Sequence, residues 1–213
     1  VWRYAKDGFW IALDKNVANL YPTLFLFFLS TRASESVVGL LRLAFKLGSL
    51  PASFVLSNVG RMAATVIPNI AARGNDVMRA TFRKLLRHAV VLHGGATVAA
   101  IVLVPILLPV VYGEAFKVAA YPFAVIAILH LSHVFYAIMT PLLRLWSATR
   151  MAATANIVGT VAGVSVFLLA STALPPTKAL YLSLLAYHGC ISYLIFAVFA
   201  RLRKDRDIAS PRG

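Results

Sequence analysis

The chain has 213 residues, of which 60% are hydrophobic and 13% charged, with a mean hydropathy of +0.80. A soluble domain carries about 25% charged and ~45–50% apolar residues, so this balance excludes an ordinary water-soluble domain. The 21 Lys and Arg against 7 Asp and Glu give a net charge of +14; they sit mostly between long apolar runs, as membrane topology demands, so nucleic acid is not an expected partner.

A bilayer span takes ~20 mostly apolar residues. Six runs meet that description, at about 11–29, 37–71, 89–112, 118–143, 148–171 and 178–200. The expected fold is therefore all-α, a polytopic membrane protein with six transmembrane helices. Residues 1–10 form a cytoplasmic N-terminal segment or linker, 11–201 the helical unit, and 202–213 a basic cytoplasmic tail. No signal peptide opens the chain, and it starts on Val1 without a Met, which suggests a piece of a longer protein.

In the first run Asp14 is the lone acid, with Lys15 beside it. A surface ion pair is one reading, a ligand for a coupling ion the other. The second run has 35 residues, or ~52 Å of helix against a ~30 Å hydrocarbon core. It must tilt, kink or project into water, and Pro51 predicts a break or bend. Inside it stand Arg42, Lys46 and Arg61. At 100° per residue all three share one side of the helix. Charges within a span cost ~2.5–3.5 kcal/mol each and usually face a bundle interior or aqueous cavity. Snorkelling to an interface is the competing reading, strongest for Arg61 and weakest for Lys46, which lies near the midplane. A cationic stripe with no nearby acid invites an anionic ligand.

Between the second and third runs, Arg79, Arg83 and Arg87 recur every four residues beside Phe82, Leu85 and Leu86. This predicts an amphipathic helix, lying at the membrane surface or extending the third span into water. In the fourth run His130 and His133 are one turn apart, and His188 lies in the sixth. Such histidines relay protons or make interhelical hydrogen bonds. In the fifth run Gly159 and Gly163 form a GxxxG that lets backbones approach, while Asn156 and Thr160 offer oxygens to a cation or hydrogen bonds to a neighbour. Cys190 is alone, so no internal disulfide forms. No metal, nucleotide or acid–base motif is present in the sequence; neither a cofactor nor an enzymatic activity is expected.

Orientation comes from the positive charges. Fifteen of the 21 Lys and Arg fall on the side holding the N-terminus, three on the other, and three within the second run. This loop-by-loop alternation predicts six spans in the plasma membrane with both termini cytoplasmic.

Three stretches together suggest a family. VVGLLRLAFKLGSLP, from Val37 to Pro51, leads through apolar sequence to IPNIAARGND, and after the basic connector comes VPILLPVVYGEAFKVAAYPFAVIAI. Gly39, Pro68 and the Tyr112-Gly113 turn followed by Phe116 fit the same pattern. The order resembles the polysaccharide and lipid-linked oligosaccharide flippases of the multidrug/oligosaccharidyl-lipid/polysaccharide exporter superfamily, in their C-terminal six-helix lobe. The resemblance implies a transporter lobe that moves an anionic lipid-linked sugar by alternating access. Arg42, Lys46 and Arg61 would then bind substrate in a cationic cavity, and His130, His133, Asp14 and Asn156 are candidates for proton or ion coupling. It also implies membrane lipid as surroundings and a second lobe as partner, either the missing N-terminal one or another copy. A drug or metabolite exporter and a non-transporting scaffold of a polysaccharide-assembly complex are the alternatives.

Overall fold

In the computed structural model, residues 2–71 and 73–209 are described, with side chains described for 7–200 except 56, 57, 72 and 75. The basic side chains of the tail, and those of Arg3 and Lys6, lie outside the described residues. The described residues form helices joined by short turns, with no strand among them. Helix α1 is Trp2–Ser30, α2 Glu35–Ala71 and α3 Asn75–Tyr112. A 3₁₀ turn at Glu114–Ala119 leads into α4 (Ala120–Leu129) and α5 (Leu131–Leu145), followed by α6 (Thr149–Ala170) and α7 (Pro176–Ala209). The segment 1–10, expected as a cytoplasmic N-terminal segment or linker, is helical from Trp2 and continuous with α1.

Five stretches are long and apolar enough to cross a membrane: Glu35–Ala71, Asp76–Tyr112, Glu114–Leu145, Thr149–Ala170 and Pro176–Ala200. The sixth expected span, α1, has 29 residues but is interrupted by Asp14, Lys15, Asn16 and Asn19. Its length suffices at ~1.5 Å per residue, whereas its apolarity does not reach that of the others. It is packed all the same, because Tyr21, Phe25 and Leu29 are buried. Helix α6 lies between α1 and α7, and α2 packs on α3, α4 and α5.

Two apolar cores fill the bundle. One gathers Phe25, Leu41, Phe45, Phe123, Phe167 and Leu184. The other gathers Val59, Ile67, Phe82, Ile138, Leu142 and Val198. Along α4 and α5 the first core ends at Ala127 and the second begins at Val134, so His130 and His133 fall where the two meet.

One expectation changes here and one open alternative is decided. Helix α2 runs unbroken through Pro51 and Pro68, so of the break or bend expected at Pro51 there is no break. The interruption lies in the fourth span instead, at His130 between α4 and α5. There α2 passes against α4 so tightly that a Cβ on Gly48 would lie 2.7 Å from Ile126 Cγ2. Of the two readings of the basic connector, the extension of the third span holds and the separate surface helix does not. Helix α3 is continuous over 38 residues, about 57 Å, and Met78, Phe82 and Ala89 of its first half are buried in the second core. The chain reverses into it at Gly74, whose φ of +114° suits only glycine. Gly113, at φ +93°, ends it in the same way.

Candidate functional site

Four helices each contribute one side chain to a buried polar cluster. Asp14 of α1 is 7% exposed. Its Oδ1 accepts from the Tyr136 hydroxyl of α5 and from Asn156 Nδ2 of α6 at 2.7 Å. Asn156 Nδ2 also lies 2.9 Å from the Tyr136 hydroxyl. On its other side Asn156 Oδ1 accepts from the Tyr187 hydroxyl of α7 at 2.9 Å. Tyr187 stacks on Tyr21, centroids 3.8 Å apart and planes within 7°. Burying a carboxylate is costly unless hydrogen bonds or a countercharge hold it, and here hydroxyl and amide donors do so. The surface ion pair with Lys15 is therefore overturned: Lys15 is exposed, while Asp14 points inward to α5 and α6.

The histidines continue the cluster. The His133 ring lies 6.0 Å from that of Tyr187, and His130, His133 and His188 contact one another with centroids 5.1–5.7 Å apart. His130 Nδ1 donates to the Ile126 carbonyl at 2.7 Å, closing the end of α4. The Ser132 hydroxyl donates to the Leu129 carbonyl at 3.0 Å, so its 2.7 Å contact with His188 Nδ1 is donated by the imidazole. His93 of α3 is fully buried, with Nε2 3.4 Å from the Thr97 hydroxyl. Polar groups thus follow one another from Asp14 through Asn156 and Tyr187 to His133, His188 and Ser132. At the Asp14 end a cavity of about 10 Å³ is lined by Thr140, Arg144 and Thr149, close to the space one water needs. At the other end His188 and Ser132 line an open pocket of about 310 Å³. No group of three or more His, Cys, Asp or Glu among the described residues could hold a metal ion.

The cations of α2 form a second, separate feature. Arg42, Lys46 and Arg61, expected to face a bundle interior or aqueous cavity, are all exposed and do not point into the interior of this bundle, and Ser53, Asn58 and Thr65 are exposed on the same helix. Along α3 the large side chains exposed over the apolar run are Val91, Leu92, Val98, Val102, Leu103, Ile106, Leu107, Val110, Val111 and Tyr112. One long helix thus mixes charged and polar side chains with exposed Leu50, Phe54 and Met62, where its neighbour's exposed surface is apolar up to Tyr112.

The structure brings Asp14 to Asn156 and His130 to His133 and His188. It leaves Arg42, Lys46 and Arg61 on the outside of the bundle. Sequence reasoning missed Tyr136 and Tyr187, whose rings fit an apolar run; the one available signal was that a buried tyrosine hydroxyl needs a partner. Gly159 and Gly163 do serve close packing: a Cβ on Gly163 would lie 3.2 Å from the Ser183 carbonyl, and one on Gly159 3.2 Å from that of Tyr187. No family model, curated protein or solved structure matches the chain.

Proposed function

We propose that the chain is one helical lobe of a membrane transporter that moves an anionic lipid-linked oligosaccharide or polysaccharide precursor across the plasma membrane by alternating access. The observation that carries this reading is the contrast between α2 and α3. Exposed charge at mid-helix costs ~2.5–3.5 kcal/mol per residue against hydrocarbon. The face of α3 suits lipid, while the cations of α2, set among exposed Leu50, Phe54 and Met62, suit a partly aqueous cavity and an anion. A second lobe, or a second copy, placed over α2 would enclose Arg42 and Lys46 in a cavity, where a lipid pyrophosphate makes charge-assisted hydrogen bonds with them.

The Asp14 cluster supports ion coupling in the same lobe. A buried carboxylate held by a tyrosine hydroxyl and an amide, and followed by three histidines, is a place where one proton or cation can be taken up and released. The lobe would use six membrane crossings, with α1 the least apolar, and both termini cytoplasmic as the positive charges dictate.

The test is flipping of a pyrophosphate-linked lipid by the whole transporter carrying Arg42→Gln and Lys46→Gln. Loss of ~1.5–3 kcal/mol of charged hydrogen bonding predicts a fall of about tenfold or more in activity at unchanged protein abundance. Normal flipping by the double variant would overturn the cationic-cavity reading and favour a scaffold.

A further inference from the structure

The outer face of the α6–α7 pair carries a groove of about 660 Å³. Its origin is in the small residues. The helices close on each other where Gly159 and Gly163 meet Tyr187 and Ser183, and the Ser183 hydroxyl donates to the Gly163 carbonyl at 2.7 Å. Away from that crossing, Ala155 of α6 and Ala186, Gly189 and Cys190 of α7 are too small to fill the space between the helix axes. Arg150 stands at one end and Tyr193 on the rim, exposed.

We propose that this groove holds one acyl chain of a phospholipid from the cytoplasmic leaflet, with Arg150 on its phosphate. Three observations favour that occupant. The lining runs from Arg150 to Val158 on α6 and from Leu185 to Ala197 on α7. These stretches are ~12 and ~18 Å of helix, which bracket the ~15 Å of a single leaflet in a ~30 Å core. The lining is apolar except at the Arg150 end. Arg150 itself lies over the Trp10 ring at 5.4 Å, a pairing that fixes the guanidinium while leaving its donors for a phosphate. The proposal rests on the membrane orientation above but on none of the transport residues, so its failure would leave the cationic stripe of α2 untouched.

The single cysteine provides a readout in the unaltered chain. In detergent, adding phosphatidylglycerol should slow alkylation of Cys190 by N-ethylmaleimide. Diacylglycerol with the same chains, which lacks the phosphate, should do so about tenfold less effectively, as expected for loss of ~1.5 kcal/mol of charged hydrogen bonding. Native mass spectrometry should find one retained phosphatidylglycerol, its half-saturating concentration raised about tenfold by Arg150→Gln. Gly189→Phe should abolish retention, since a Cβ there meets nothing within 4 Å and the ring is free to fill the groove. Alkylation indifferent to phosphatidylglycerol would overturn the proposal. So would equal protection by diacylglycerol, or protection that follows protein concentration instead of lipid, which would make the groove a contact between copies.

Discussion

Asn156 is the hinge of the buried cluster: its amide nitrogen lies 2.7 Å from the Asp14 carboxylate and its amide oxygen 2.9 Å from the Tyr187 hydroxyl. A carboxylate only accepts, so the nitrogen must face Asp14, and the oxygen is left to take the tyrosine proton. Asn156→Leu removes both bonds at once, orphans the Tyr187 hydroxyl and leaves the buried Asp14 carboxylate held by Tyr136 without the amide. At ~1–3 kcal/mol for each orphaned group, and ~2–4 °C per kcal/mol for a chain of this size, the melting temperature in detergent should fall by several degrees. Asp14→Asn keeps an oxygen that accepts from both Tyr136 and Asn156. That variant should melt near the parent temperature and yet lose ion-driven transport. If both variants melt like the parent, the cluster contributes nothing to the packing of α1 on α6.

The glycines of the α6–α7 pair separate into two kinds, and substitution should distinguish them. A Cβ on Gly163 meets the Tyr21 ring at 3.0 Å and the Ser183 carbonyl at 3.2 Å. Neither the stacked ring nor the backbone has room to give, so Gly163→Val should overpack the crossing at ~1–3 kcal/mol. Gly189 faces open space, and Gly189→Ala should be neutral or gain up to ~1 kcal/mol from helix propensity. Thermal melts of the two single variants check this ordering, which a loosely packed pair would not produce.

Whether α1 crosses the membrane is decided by its two ends. Single cysteines at Gly8, Thr31, Asn75 and Ser147, in a chain with Cys190 replaced, should divide into two classes toward an impermeant maleimide. Thr31 should react from outside intact cells, and the other three only after the membrane is opened. Reaction of Gly8 and Thr31 from the same side would place α1 at the surface and reduce the crossings to five.

How much of this was legible in the sequence depended on what each residue needed to be read against. The helical runs follow from period and hydropathy within one helix, although the fourth divides at His130 and the first is less apolar than the rest. The direction of Asp14 does not, because its partners Tyr136 and Asn156 lie 122 and 142 residues away, and no local pattern announces them. The break at His130 was hidden for a related reason. Pro51 is carried inside the continuous α2, while the interruption falls where the histidines lie between two cores. The basic connector was readable as amphipathic, but only the burial of Met78 and Phe82 placed it on the second core as the start of α3.

The two exposed faces also make a prediction about assembly in the membrane. Val102 of α3 is 59% exposed and lies near the middle of its apolar run; Lys46 of α2 is exposed at comparable depth. If the α3 face meets lipid, Val102→Lys places an unpaired ammonium in hydrocarbon at ~2.5–3.5 kcal/mol. The yield of inserted, monodisperse protein should then drop several-fold. If the α2 face meets a water-filled cavity, Lys46 carries no such cost, and Lys46→Leu should leave that yield unchanged while impairing transport. Quantifying both variants by fluorescence-detected size exclusion, in the same membranes, compares the two environments directly. A rise in yield for Lys46→Leu equal to the fall for Val102→Lys would mean that both faces meet lipid, and the stripe on α2 would then be an anchor for phospholipid headgroups.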